Sequence, residues 1–102
     1  MTMTINMQRQ GSELTIAPEG RLDTLTSPQL EKELGTALDG VQSLVFDFEK
    51  LEYLSSAGIR VMLSAYKTMS KQGGSMCIKN VCPEVEEIFE MTGLTSVFGV
   101  QA

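Results

Sequence analysis

The chain has 102 residues, 42% of them hydrophobic, and its 8 Lys and Arg against 13 Asp and Glu give a net charge of −5. We expect a single domain over 1–102, because a chain of this length buries enough surface to form a core without disulfides. The acidic balance argues against direct nucleic-acid binding, since phosphate contacts need an excess of Lys and Arg. A protein partner is therefore expected.

The residue types that usually carry chemistry are scarce. There is no His, and the two Cys are Cys77 and Cys82. Histidine is the commonest general base and the commonest metal ligand, so its absence argues against a catalytic triad or a zinc site. We expect both Cys to be small, reduced core residues. The sequence predicts a protein that is not an enzyme and that uses no cofactor or metal.

Nothing in the hydropathy pattern suggests a membrane segment. No stretch approaches the roughly 18 apolar residues of a membrane span. The amino terminus has neither the basic region nor the apolar region of a signal peptide. We therefore expect no membrane insertion and a cytoplasmic location.

Alternating apolar residues predict two short antiparallel strands at the start of the chain. Apolar and polar residues alternate over 5–7 and again over 14–16, on either side of a polar turn. Pro18 has no N–H for a sheet ladder, so it should lie at the end of the second strand or on an unpaired edge of it. Residues 20–23 are then expected to lead out of the sheet.

The first predicted helix begins at Ser27, as its cap, and Pro28, at the first helical position. Apolar residues follow at helical spacing as far as Gly40, which is a good helix terminator. The next segment, 44–48, is a short and nearly continuous apolar run. Its length favours a central strand over a helix.

The second half of the chain predicts a strand–helix–strand unit. Helical spacing returns over about 57–72, which implies a crossover between parallel neighbouring strands at 43–48 and 75–80. A third helix begins at Pro83, and residues 97–100 either add a last short strand or pack as a tail. The predicted fold class is α/β, a small mixed sheet of four to five strands with about three helices.

The connection before the second helix is the best candidate for a functional site. In α/β sheets, the loop from a strand's carboxyl end to a helix amino terminus is where ligands and modifications are usually read. Ser55 and Ser56 lie there, where unpaired backbone N–H groups and the helix dipole favour a negative group. Capping the helix is their alternative role. Arg60 follows Ser56 by four residues, so on a helix the two share a face, although a solvated Arg is the simpler alternative.

Two motifs carry a resemblance to a known family. The sequence Leu-Ser-Ser-Ala-Gly-Ile-Arg-Val-Met-Leu over 54–63 resembles the Asp-Ser-Ser-Gly-Leu signature of STAS domains, specifically the stand-alone anti-sigma factor antagonists. Gly-Arg-Leu-Asp over 20–23 is similar to the family's Gly-x-Leu-Asp, and residues 44–48 are similar to its apolar strand. The resemblance covers nearly the whole chain and implies a STAS-like fold.

The resemblance also implies a function, that of a switch protein in transcription regulation. In the family, the unphosphorylated antagonist binds an anti-sigma factor that is also a serine kinase, and so releases the sigma factor. Phosphorylation of one signature serine breaks the complex, and a serine phosphatase restores it. Aligning the signature glycine with Gly58 places that serine at Ser56. Ser55 is the alternative, and it stands where the family usually has Asp.

The same alignment implies a partner-binding surface formed by Asp23, Ser55, Ser56, Gly58 and Arg60. Asp23 is expected beside the Ser56 loop, and its alternative role is to fix a turn. Gly58, without a side chain, is expected to let a partner approach the backbone closely. A bulkier residue there is expected to hinder partner binding and to leave the fold intact.

Two other functions compete with this interpretation. One is a STAS interaction subunit of a transporter or a signalling scaffold that is never phosphorylated, which Ser55 in place of Asp fits equally well. The other is an enzyme or nucleotide-binding domain. It is disfavoured because the sequence has no glycine-rich phosphate loop and no general base with an obvious activator.

Overall fold

Residues 3–101 are described by a computed structural model, in which they form one mixed sheet and three helices. The elements are β1 (Thr4–Gln10), β2 (Glu13–Leu22), α1 (Ser27–Ala37), β3 (Ser43–Asp47), β4 (Leu51–Leu54), α2 (Ser56–Lys71), β5 (Ser75–Lys79) and α3 (Pro83–Met91). Four of the five strands lie in the order β1-β2-β3-β5, and the fifth, β4, pairs with β2. The predicted α/β class and mixed sheet are confirmed. Among residues 3–101, no helix has the length and apolar character needed to cross a membrane.

The predicted antiparallel hairpin of β1 and β2 is present, and Pro18 lies within β2 opposite Ile5. β2 pairs with β3 before Pro18 and with β4 after it, so Pro18 falls between the two parallel pairings. The N–H of Gly20, on the same side of the strand, donates to the Lys50 carbonyl at 3.0 Å. The Pro18 nitrogen therefore faces the stretch of β2 that lies between its two parallel partners and is paired with neither. This is the second of the two predicted positions, an unpaired edge of the strand.

β2 is longer than the sequence suggested, and its last residues pair with a strand that the sequence did not predict. Residues 20–22 pair in parallel with β4, so the expectation that 20–23 lead out of the sheet is wrong for the first three. The register shifts between Gly20 and Arg21, and Gly20 has a φ of +102°. This irregularity, in a backbone region that favours glycine, accompanies the change of parallel partner from β3 to β4.

The strand–helix–strand unit is confirmed. β3 and β5 are parallel neighbours in register from Ser43 opposite Ser75 to Asp47 opposite Lys79, and α2 connects β4 to β5. The carboxyl-terminal residues pack as a tail. Val100 makes one isolated bridge to a residue of β5.

The core lies between the sheet and the helices and contains a chain of aromatic rings. Phe46 of β3 and the neighbouring Phe48 have ring centroids 5.7 Å apart, and Phe48 stacks on Phe89 of α3 at 6.4 Å. Phe98 of the tail meets Phe89 edge to face at 5.9 Å. All four side chains are fully buried. Each such ring typically contributes about 3 kcal/mol or more to stability, so the tail is an integral part of the core.

Two smaller expectations are corrected. Ser27 does not cap α1: it is the first helical residue, it is buried, and its hydroxyl has no hydrogen-bond partner within residues 3–101. Thr26 occupies the N-cap position instead. Cys77 and Cys82 are free thiols as predicted, but each is only half-buried.

Candidate functional site

The sheet brings the two sequence motifs together. Leu22, near the end of β2, is the register partner of Leu54, at the end of β4. The N–H of Ser55 donates to the Leu22 carbonyl at 2.9 Å. Because the two strands are parallel and end at the same edge, the residues that follow them, Asp23 and Ser55, are neighbours in space. The expectation that Asp23 lies beside the serine loop agrees with this register.

Ser55 is the N-cap of α2. Its backbone is extended, with φ −94° and ψ 174°, and its side-chain oxygen accepts a hydrogen bond from the N–H of Gly58 at 3.3 Å. This bond satisfies one of the four N–H groups that a helix leaves unpaired at its start. The capping role that the sequence left open for either serine therefore belongs to Ser55.

Ser56 differs from Ser55 in its position on the helix, its exposure and its hydrogen bonding. It is the first residue of α2, it is exposed, and its hydroxyl makes no hydrogen bond within the part of the chain that the structure describes. The first turn of α2 contains no acidic residue of its own, and the positive end of the helix dipole favours a negative group there. A negative group on Ser56 would be favoured there.

Arg60 lies one turn further along α2 and is exposed, as the spacing predicted. Residues four apart on a helix have Cβ atoms about 6 Å apart, so Arg60 and Ser56 share one face. The guanidinium forms no ion pair within residues 3–101, where the ion pair that occurs joins Arg21 to Asp23. Arg60 is thus a cation available at the same surface as the Ser56 hydroxyl.

Gly58 has a different role from the one that the sequence suggested. It is buried, and a Cβ placed on it would lie 2.7 Å from Leu54 Cδ1 and 2.9 Å from Leu22 Cγ. Glycine therefore allows the first turn of α2 to pack directly on the ends of β2 and β4. The expectation that a bulkier residue at 58 leaves the fold intact is wrong, because its side chain would meet the core rather than a partner.

The Asp23 carboxylate closes the turn between β2 and α1, which is the structural role that the sequence offered as an alternative. Its Oδ1 accepts hydrogen bonds from the N–H of Leu25 at 3.0 Å and of Thr26 at 3.1 Å. The hydrogen bond from the Thr26 N–H is the main reason why the pKa of Asp23 lies below its ordinary value of 3.8. Partial burial of the carboxyl acts in the opposite direction and raises the pKa. The Leu25 N–H, the Thr26 hydroxyl and the charge of Arg21 also lower the pKa of this carboxyl.

Three further residues at this surface were not singled out from the sequence. The Arg21 guanidinium lies 4.3 Å from the centre of the Tyr53 ring, and its Nε is 3.9 Å from Asp23 Oδ2. Leu25, in the turn, is 75% exposed. An apolar residue inside a polar turn was a usable signal for Leu25. The Arg21–Tyr53 pair had no such signal, because it depends on β4, which the sequence did not predict.

A shallow cleft lies beside the Asp23 turn. Its volume is about 200 Å³. It is lined by Met3, Glu19, Gly20, Arg21, Asp23, Leu25, Thr26 and Glu52. Residues 3–101 contain no group of three or more His, Cys, Asp or Glu placed to hold a metal ion. The reactive group at this surface is therefore the exposed primary hydroxyl of Ser56. It lies at a helix start, beside a surface of mixed charge and exposed apolar groups.

Comparisons with known proteins agree with the fold. The family model described as STAS domain matches residues 4–102. A relative from Bordetella bronchiseptica, named as the candidate anti-sigma factor antagonist BtrV, is 33% identical over 99 residues, which cover 96% of this chain and 85% of the relative. A solved anti-sigma factor antagonist from Mycobacterium paratuberculosis is 24% identical with a TM-score of 0.86, covering 97% of this chain and 85% of its own. The Bacillus cell fate determinant SpoIIAA, solved in its phosphorylated form, is 20% identical with a TM-score of 0.77, covering 97% and 91%.

Proposed function

The chain belongs to the STAS domain family, and on that premise we propose that it is an anti-sigma factor antagonist switched by phosphorylation of Ser56. Unphosphorylated, it binds an anti-sigma factor that has serine kinase activity, and so releases a sigma factor. Transfer of phosphate to Ser56 breaks the complex, and a serine phosphatase restores it. The whole of 1–102 acts as one STAS domain, as a binding protein rather than an enzyme, in the cytoplasm where sigma factors work.

One observation supports Ser56 as the phosphate acceptor: the two serines differ in exposure and in hydrogen bonding. The Ser55 oxygen accepts the capping hydrogen bond from Gly58, and Ser55 is half-buried. Ser56 is exposed. A kinase must bring the γ-phosphate in line with a serine oxygen, so it needs a hydroxyl that it can reach and orient. Ser56 meets that need without the loss of the helix cap.

The proposed partner-binding surface surrounds this hydroxyl. It comprises Asp23, Ser55, Ser56 and Arg60, with Gly58 beneath them supporting the start of α2. The proximity of Asp23 to Ser55 is supported by the register of Leu22 with Leu54. Arg60 is exposed on the face of α2 that carries Ser56.

The switch is electrostatic and steric. A phosphoserine adds about −1.5 to −2 charges at neutral pH. It does so at a surface that a partner must desolvate, on a chain whose net charge is already −5. Loss of a packed contact together with like-charge repulsion costs several kcal/mol in such a place, and each ~1.4 kcal/mol is a factor of ten in affinity. The phosphate also competes for Arg60, which removes a cation from the interface.

This switch needs no rearrangement of the backbone. A phosphate at the first residue of α2 lies against unpaired N–H groups and the positive end of the helix dipole, both of which stabilise it. The first turn of α2 contains no acidic residue of its own that would repel the phosphate. Phosphorylation is thus expected to hold α2 in place while it changes the surface.

Phosphate transfer tests the proposal. The protein is incubated with labelled ATP and each anti-sigma-factor-like kinase of its own organism, and the label is mapped by mass spectrometry. We expect label on Ser56, full labelling of Ser55→Ala where that variant folds, and none on Ser56→Ala. Label on Ser55 in the wild type, persisting in Ser56→Ala, would show that the acceptor is one residue away from the one proposed.

A second function is favoured by one specific feature. Ser55 stands where the family signature has Asp. A STAS interaction subunit that binds a transporter or signalling scaffold without phosphorylation would not need that Asp. If no cognate kinase labels either serine, this second function becomes the better account.

A further inference from the structure

We propose that Thr26 is a positioning residue that orients the Asp23 carboxylate toward the partner. The inference rests on the proposed function, because Asp23 is part of the proposed partner-binding surface. It concerns a residue that neither the sequence motifs nor the family signature brought forward. Thr26 is 4% exposed, so it acts through Asp23 and not by touching a partner itself.

The Thr26 hydroxyl is at the centre of the turn that follows β2. It accepts a hydrogen bond from the N–H of Asp23 at 2.9 Å and donates one to the Arg21 carbonyl at 2.7 Å. The same hydroxyl oxygen is 3.2 Å from Asp23 Oδ1. A hydroxyl has one hydrogen, which is donated at the shorter distance to the Arg21 carbonyl, so the longer contact with Asp23 Oδ1 shares that hydrogen.

These bonds divide the Asp23 carboxylate into an inner and an outer oxygen. Oδ1 is held by the N–H groups of Leu25 and Thr26, and the Thr26 hydroxyl oxygen lies 3.2 Å from it. Oδ2 has a single long contact, at 3.9 Å, with the Nε of the exposed Arg21 side chain. The inner oxygen therefore fixes the side chain, and the outer oxygen remains available to an incoming group.

A purely helix-capping role does not account for the Thr26 side chain. Thr26 is the N-cap of α1 by position, yet its side chain makes no capping hydrogen bond to that helix. The hydroxyl points back to residues 21–23 instead. A threonine that served only the helix would accept from an N–H two or three residues further along. The bonds observed here serve the turn and the carboxylate.

The first test measures the carboxylate without any partner. Carbon-13 NMR follows the pH titration of the Asp23 carboxyl in the wild type, in Thr26→Val and in Thr26→Ser. The charged groups around the same cleft, Arg21, Glu19 and Glu52, are identical in all three proteins. We expect the pKa of Asp23 to lie below 3.8 in the wild type, to rise only part of the way toward 3.8 in Thr26→Val, which keeps the backbone N–H of residue 26, and to return to the wild-type value in Thr26→Ser.

The second test measures partner affinity, with the kinase that labels Ser56 as the probe. We expect Thr26→Val to weaken binding about three- to tenfold, the effect of one hydrogen bond, and Thr26→Ser to restore it. Asp23→Asn is the reference, and it should weaken binding at least as much as Thr26→Val. If Thr26→Val does not fold, Thr26→Ala removes the same hydroxyl without adding bulk.

The outcomes separate the inference from the proposed function. An Asp23 pKa that is not lowered in the wild type, or that is unchanged in folded Thr26→Val, overturns the positioning role. So does normal binding by Thr26→Val when Asp23→Asn binds weakly. Normal binding by Asp23→Asn removes Asp23 from the interface, which contradicts the proposed surface and leaves Thr26 with nothing to position there.

Discussion

Replacement of Gly58 by Ala separates the structural account of the site from the account that the sequence suggested. The new Cβ would lie 2.7 Å from Leu54 Cδ1 and 2.9 Å from Leu22 Cγ. Real carbon contacts are about 3.5–4.0 Å, so α2 or the two leucines must shift by several tenths of an ångström. The two leucines are at most 2% exposed, and Cγ is the branch point of Leu22 rather than a flexible end.

Two opposing effects decide the size of the change. Overpacking of a close-packed core costs about 1–3 kcal/mol. Replacing Gly by Ala inside a helix returns about 1 kcal/mol of helix propensity. Because the clash involves two buried side chains at once, we expect the first effect to dominate and Gly58→Ala to lose about 1–2 kcal/mol of unfolding free energy.

Gly35 in α1 supplies the matched control. It is also helical, but a Cβ placed on it meets nothing within 4 Å. We expect Gly35→Ala to gain about 0.5–1 kcal/mol from propensity and unfolded-state entropy. Urea unfolding followed by circular dichroism measures both variants. A Gly58→Ala protein as stable as Gly35→Ala would refute the packing argument and revive a role for Gly58 in partner contact.

Three further predictions concern the start of α2 and the Asp23 turn. Ser55→Ala removes the helix cap and should lower the unfolding free energy by about 1 kcal/mol, whereas Ser56→Ala should change it by less than about 0.5 kcal/mol. Equal losses for the two variants in urea unfolding would contradict the assignment of the cap to Ser55. Ser56→Asp should raise stability by about 0.3–1 kcal/mol at low ionic strength and lose that gain in 1 M salt, and a destabilised variant would show that the helix dipole does not favour charge at this position. The stabilisation that Asp23 gains from its lowered pKa is fully present above its unfolded-state value near 3.8 and is lost as the pH falls through the lower native value. Acid unfolding of Asp23→Asn should lack this component, and identical acid unfolding of wild type and variant would rule it out.

The parts of the fold that the sequence predicted well are those set by long periodic patterns. The alternation in β1 and β2, the apolar run of β3 and the helical spacing of α2 each gave the right element, because one face of each must be buried. β4 was missed for a physical reason. It has only four residues, with Leu51 and Leu54 buried and the two between them exposed, so it shows no strand alternation. It pairs with β2 only beyond the irregularity at Gly20.

The sequence predicted which residues form the candidate site but not the structural role of each residue. The motif match selected Ser55, Ser56 and Gly58, but which serine caps α2 depends on backbone angles that composition does not encode. The packing role of Gly58 depends on contacts with two leucines from different strands, one of them on the unpredicted β4. The Ser-Pro pair likewise favoured Ser27 as the cap of α1, but the Asp23 carboxylate binds the Thr26 N–H in the preceding turn and Thr26 takes the N-cap position.

The most direct test of the central claim is the affinity of the labelling kinase for the protein before and after phosphorylation of Ser56. The singly phosphorylated protein is prepared with that kinase, verified by mass spectrometry, and compared with the unmodified protein and with Ser56→Ala by isothermal titration calorimetry. We predict that phosphorylation weakens binding by roughly 100-fold or more, the effect of about 3 kcal/mol. Ser56→Ala should bind like the unmodified protein even after incubation with kinase and ATP. Equal affinities of the phosphorylated and unmodified proteins would contradict the proposed switch.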